Sequence, residues 1–126
     1  MTPANFPYEV ARSATLVLTD PPGGGNGTTI SPTGSFQVYE LVNLVTSETR
    51  TLTAPVKSAM FFDLMLVAQT STYTIAVTTK DSAGNNSVTY TFKTLGSVLM
   101  LKSIGTSWNQ TTGLRTFAWV PYFSNI

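Results

Sequence analysis

Apolar and polar positions alternate at period two through much of this chain, which predicts β-strands from one end to the other. In residues 71–79, Tyr73, Ile75 and Val77 share one face and Thr72, Thr74, Ala76 and Thr78 the other. Residues 87–93 alternate in the same way through Val88, Tyr90 and Phe92. Period two with β-branched and aromatic residues excludes helix. The runs 59–68 and 97–104 differ, being apolar on both parities. A strand with one wet face should alternate, so both faces of these two need cover. Asp63 shares a side with Phe61, Met65 and Val67, and an ionised carboxylate is costly to bury without a partner. Phe62, Leu64 and Leu66 are therefore expected to face the core. The Phe61, Asp63, Met65, Val67 side is expected to be covered in part, by the chain's own arms, by another copy or by a partner.

The remaining runs fill in around these four. Residues 13–19 read as a first strand, with Leu16 and Leu18 together. Residues 36–46 read as a strand with Phe36 and Val38 inward against Gln37 and Tyr39, and a bulge near Glu40 to Asn43 where the alternation slips. Residues 49–53 and 114–120 complete the set. Gln69 and Thr70 predict a turn that joins 59–68 and 71–79 as an antiparallel hairpin, and residues 80–86 predict a second hairpin. Gly105 and Thr106 should end the fourth run, and residues 109–113 form a further turn. The expected fold is all-β: a small antiparallel β-sandwich or barrel-like domain with an extended N-terminal arm. One domain spans 1–126, with the arm at 1–12, the β-domain at 13–120 and an aromatic tail at 121–126. Pro3 and Pro7 keep the arm out of helix. Its Phe6 and Tyr8 must lie on the parent domain, a neighbouring copy or a partner. Trp119, Tyr122 and Phe123 should likewise be docked, on this copy or the next.

Composition removes most chemistry. Thr and Ser make up about a quarter of the chain, which suits strands with a hydroxyl-bearing outer face. Charged residues are 10% and the net charge is +1, so no electrostatic footprint for nucleic acid or anionic lipid is present, and neither partner is expected. With no Cys there are no disulfides or thiolate ligands, and with no His there is no imidazole base, triad or metal site within one copy. No cofactor or metal and no enzymatic activity are expected. The first residues offer neither a basic segment nor an apolar core segment, and Asp63 breaks the only long apolar run, so neither a signal peptide nor a membrane span is expected. The glycine-rich stretch 20–29 lacks the Lys and following helix that a phosphate loop needs, and reads as a surface loop. Residues 81–86 offer one Asp and two amides, too few donors for a calcium loop, and read as a hairpin turn. Trp108 and Trp119 could form a sugar-stacking platform, although such residues more often fill a small β-core.

One resemblance bears on function. Thr51-Leu-Thr-Ala-Pro55, the Tyr73-Thr-Ile-Ala-Val77 run, Ala83-Gly-Asn85, Gly96-Ser-Val-Leu-Met-Leu101 and Ile104-Gly-Thr-Ser-Trp108 together resemble a pattern in tailed-bacteriophage virion proteins. These are head decoration (capsid cement) proteins, head fibres and modules of tail fibres. Ser97 stands where the pattern has an acidic residue, and Ile104 precedes Gly105-Thr106 where it has Asp. The resemblance implies a homotrimer packed through apolar strand faces, a virion structural protein on the outer capsid surface that partners itself and the major capsid protein. Phe61, Met65, Val67, Val98 and Met100 are the expected subunit contacts, and Phe6 and Tyr8 the expected capsid contacts. The other reading is a fibre or adhesion module that binds a host surface glycan through loops such as 20–29.

Overall fold

The computed structural model describes residues 16–19, 26–32, 36–42, 46–55, 63–68 and 73–126. Among them the chain is all-β, with no helix. Its strands are β1 (Leu16–Thr19), β2 (Thr28–Ile30), β3 (Phe36–Leu41), β4 (Glu48–Leu52), β5 (Asp63–Ala68), β6 (Ile75–Thr79), β7 (Val88–Phe92), β8 (Val98–Asn109) and β9 (Leu114–Ser124). They form two mixed sheets, a five-stranded one in the order β1-β3-β5-β8-β9 and a four-stranded one in the order β2-β4-β6-β7.

Through β6 the chain alternates between the two sheets, strand by strand. Each new strand therefore lies beside the one two places earlier and runs parallel to it: β1 with β3, β3 with β5, β2 with β4 and β4 with β6. The antiparallel arrangement expected from the sequence holds only at the end of the chain. There β7 folds back on β6, while β8 pairs with β5 and then with β9. The expected hairpin between 59–68 and 71–79 does not form, because β5 is paired by β3 and β8, and β6 by β4 and β7. What joins β5 to β6 is burial instead. Leu64, Leu66 and Ala68 from the first sheet and Ile75 and Val77 from the second are all at most 1% exposed, in a core shared with Leu41, Leu52, Phe92, Leu99 and Leu101. Burying each such large side chain contributes about 1.5–3 kcal/mol before conformational entropy is charged against it.

Two side-chain features tie the sheets together. Trp119 of β9 donates its indole N–H to Thr53 O, just past β4, at 2.8 Å. Arg50 of β4 is fully buried and donates to Glu48 Oε2 at 2.9 Å, to Thr49 O at 2.9 Å and to Val42 O at 3.0 Å, reaching from one sheet to the end of β3 in the other. A buried guanidinium needs this many acceptors to offset its desolvation.

Two further expectations are corrected. Gln37 and Tyr39 face the core and Val38 faces out, the reverse of the assignment made from alternation, since Gln37 pairs with inward Leu64 and Tyr39 with inward Leu66. Nor does the chain turn at Gly105. The strand β8 continues to Asn109, absorbing Thr106 as a bulge where its pairing with β9 shifts between Gly105 and Ser107.

Candidate functional site

The register assigns four of the expected contact residues to one surface. On the outer face of the five-stranded sheet, Met65 pairs with Met100 and Val67 with Val98, all four half-buried. Directly opposed residues point to the same side of a sheet, so these rows extend outward on both flanks. Val38 on β3 joins Met65, and Phe123 on β9 joins Met100. The result is one apolar row, Val38, Met65, Met100 and Phe123, running across four strands. The other expected contacts, Phe61, Phe6 and Tyr8, lie outside the described residues, as does the N-terminal arm.

A second irregularity in β9 shapes the edge of this surface. The pairing shifts between Met100, opposite Phe123, and Leu101, opposite Pro121, which leaves Tyr122 as an extra residue. Proline has no N–H to give a ladder, and an edge-strand bulge is a position that tolerates it. The bulge also brings two aromatic rings out in succession: Tyr122 is 51% exposed and Phe123 50%. Lys102 holds its ammonium 5.4 Å from the Tyr122 ring and 3.6 Å from Asp63 Oδ1. Burial, and secondarily the Asp63 charge, raises the Tyr122 phenol above its ordinary value. Composition marked the tail as aromatic, but only the register places Tyr122 and Phe123 beside Met100.

Beyond the end of the sheet, β8 and β9 run on as a two-stranded arm. Trp108 pairs with Arg115 near its tip and is 56% exposed, so it is not a core residue, whereas Trp119 at 6% is. The Arg115 guanidinium sits 5.7 Å from the Trp108 ring centre. Its aliphatic stem occupies the space left by Gly105, where an added Cβ would stand 2.5 Å from Arg115 Cδ. The tip is closed by its own hydrogen bonds, Asn109 Oδ1 accepting from the backbone of Thr111 and Thr112 and Asn109 O from Gly113 N.

No family model, curated protein or solved structure matches the chain. The candidate surfaces therefore rest on their own geometry.

The Asp81 turn is structural. Its carboxylate accepts from the backbone of Asn85 and Ala83 and from Asn86 Nδ2, at 2.8–3.0 Å. The Asn85 N–H, then the Asn86 amide, hold its pKa below the ordinary aspartate value. Asn86 takes the left-handed conformation at φ 54°, which Asn tolerates better than most residues. The turn in turn grips β9, with Ser82 N donating to Phe117 O and Phe117 N to Ser82 Oγ, both at 2.8 Å. A hollow of about 170 Å³ beside it is lined by Lys80, Asp81, Val88, Ala118 and Trp119, among others. That is too small for a drug-sized ligand. No group of three or more Asp or Glu converges among the described residues.

Proposed function

We propose that this chain is a non-enzymatic structural protein of a phage particle, a homotrimer on the outer capsid surface that bridges major capsid subunits and stabilises the shell. The observation that carries this reading is the apolar row Val38, Met65, Met100 and Phe123 on the side of the sheet that faces away from the core. A neighbouring copy laid on that row would remove apolar surface from water, at about 25 cal/mol per Å² before the costs of association. The Pro121 bulge supports face-to-face rather than edge-to-edge assembly, because it interrupts the ladder on the exposed margin of β9. The resemblance to head decoration proteins supports the same location and role.

Multi-angle light scattering at micromolar concentration tests the assembly. The expected mass is three times the 13.5 kDa chain, and Met100→Lys, which sets an ammonium in the middle of the row, is expected to give monomers. A stable wild-type monomer would overturn the trimer. Copy number in the parent particle tests the location, since a decoration protein is present in hundreds of copies and a fibre in a few. The fibre or adhesion reading draws support from the arm at Trp108, and a low copy number would favour it.

A further inference from the structure

We infer that the open edge of β2 is a strand-accepting site whose occupant is the chain's own Phe6-Pro7-Tyr8, laid parallel to β2. These three residues lie outside the described ones, and their placement follows from how the described turns of the fold repeat. The site is separate from the apolar row, which belongs to the other sheet.

Through β6 the fold is a two-sheet coil, each turn laying one strand on each sheet. The first turn of such a stack exposes unpaired backbone unless a capping segment covers it. Among the described residues β2 pairs only with β4. Ile30 O accepts from Thr53 N, so the Ile30 backbone points at β4, and the N–H and C=O of Thr29 point the other way, to the open edge. The Thr28 hydroxyl, on the core side with Ile30, is buried with no hydrogen-bond partner among the described residues. Unspent ladder groups on a terminal strand, beside an orphaned hydroxyl, make an acceptor for one more strand.

The repeat selects the occupant. Thr28 pairs with Arg50, 22 residues on, and Leu16 with Gln37, 21 residues on. One step of 22 back from Thr28–Ile30 falls on Phe6-Pro7-Tyr8. The return to the five-stranded sheet then takes seven residues, from Tyr8 to Leu16, where the later returns take five, from Ile30 to Phe36, and ten, from Leu52 to Asp63. Phe6 would stand opposite Thr28 and Tyr8 opposite Ile30, extending inward rows that continue through buried Arg50 and Leu52. In a parallel pair Thr29 bonds to the residues either side of its opposite number, accepting from Tyr8 N–H and donating to Phe6 O. The backbone of Pro7 faces away, where a missing N–H costs nothing. A step of 27, as from Glu48 to Ile75, would reach Met1-Thr2-Pro3 instead, and Pro3 lacks the N–H that Thr29 O requires. Of the three places open to Phe6 and Tyr8, the repeat thus picks the parent domain.

Amide hydrogen exchange on the intact chain tests the inference. An open edge would leave the Thr29 N–H to exchange freely, whereas the added strand should slow it about tenfold or more. Tyr8→Pro, which removes the donor to Thr29 O, should abolish that protection, and Pro7→Ala should leave it in place. The chain has no Cys, so the pair Pro7→Cys and Thr29→Cys gives a second reading. Opposed residues on neighbouring strands stand about 4.7–4.9 Å apart, within disulfide reach, and mild oxidation should link the pair inside one chain, which then runs as a monomer on a denaturing gel. Thr29 exchanging at the rate of an unstructured amide, or keeping its protection in Tyr8→Pro, overturns the inference. A link formed only between chains overturns it as well.

Discussion

Replacing Arg50 by Met should be among the most damaging single changes in the described part of the chain, although Met has a similar reach and no charge. The guanidinium is fully buried 2.9 Å from Glu48, whose side chain is 5% exposed. Removing it takes from the buried Glu48 carboxylate its ion-pair partner at 2.9 Å, and takes a donor from Val42 O and another from Thr49 O. Breaking a buried pair from one side costs about 3–5 kcal/mol. With a urea slope of about 1.5 kcal/mol per M for a domain of this size, a loss of about 4 kcal/mol moves the unfolding midpoint by roughly 2.5 M. Glu48→Leu should cost a similar amount, for it leaves a buried cation. The double variant removes both charges, and it should be at least about 2 kcal/mol more stable than the sum of the singles implies. What it cannot recover is the donor to Val42 O, a deficit of about 1–3 kcal/mol. Urea denaturation followed by tryptophan fluorescence, at one protein concentration for all four proteins, gives the cycle. Additive losses, or an Arg50→Met midpoint within a few tenths of a molar of wild type, would refute the reasoning that this buried pair stabilises the fold.

The two tryptophans should behave oppositely: Trp119→Ala should cost about 3–5 kcal/mol in urea denaturation, having lost a buried ring and its bond to Thr53 O, while Trp108→Ala should stay within about 0.5 kcal/mol. The lowered pKa of Asp81 means that its contribution to the turn is complete above the unfolded-state value and is lost as pH falls through the lower folded-state value. Protection of the Ala83 and Asn85 amides against exchange should therefore fall once the pH drops below the ordinary aspartate value, and Asp81→Asn should remove that dependence while exchanging faster at neutral pH. Asp63→Asn should bring the Tyr122 phenol back toward its ordinary value, read by ultraviolet titration, because one of the two causes of its elevation is gone.

Much of the strand content was legible because period two is local. Ile75, Val77, Leu64 and Leu66 announce their faces within a few residues, and all four are buried. Val38 shows where that logic failed. Alternation identifies the core only if the other face is polar, and the outer face of the five-stranded sheet carries Val38, Met65, Val67, Val98 and Met100. With both faces apolar, parity no longer distinguishes them. The burial of Arg50 is illegible for the opposite reason, since a charged residue on an alternating strand gives no inward signal unless Glu48 and Val42 O are known to meet it. The candidate site was half legible. The doubly apolar runs pointed to Met65, Val67, Val98 and Met100, but Tyr122 and Phe123 reach them only through a bulge, and Trp108 could not be told from Trp119.

The sequence by itself determined the all-β character that the described residues show, where most of their strands lie, and that no histidine or thiol chemistry is available to one copy. Tertiary structure decided which strands are neighbours. The alternation of strands between two sheets makes the early pairs parallel and separated by more than twenty residues, as in Gln37 with Leu64. A ladder hydrogen bond is the same whichever backbone supplies it, so partner choice is set by how the buried faces fit together, and that is a property of the whole fold rather than of any one segment.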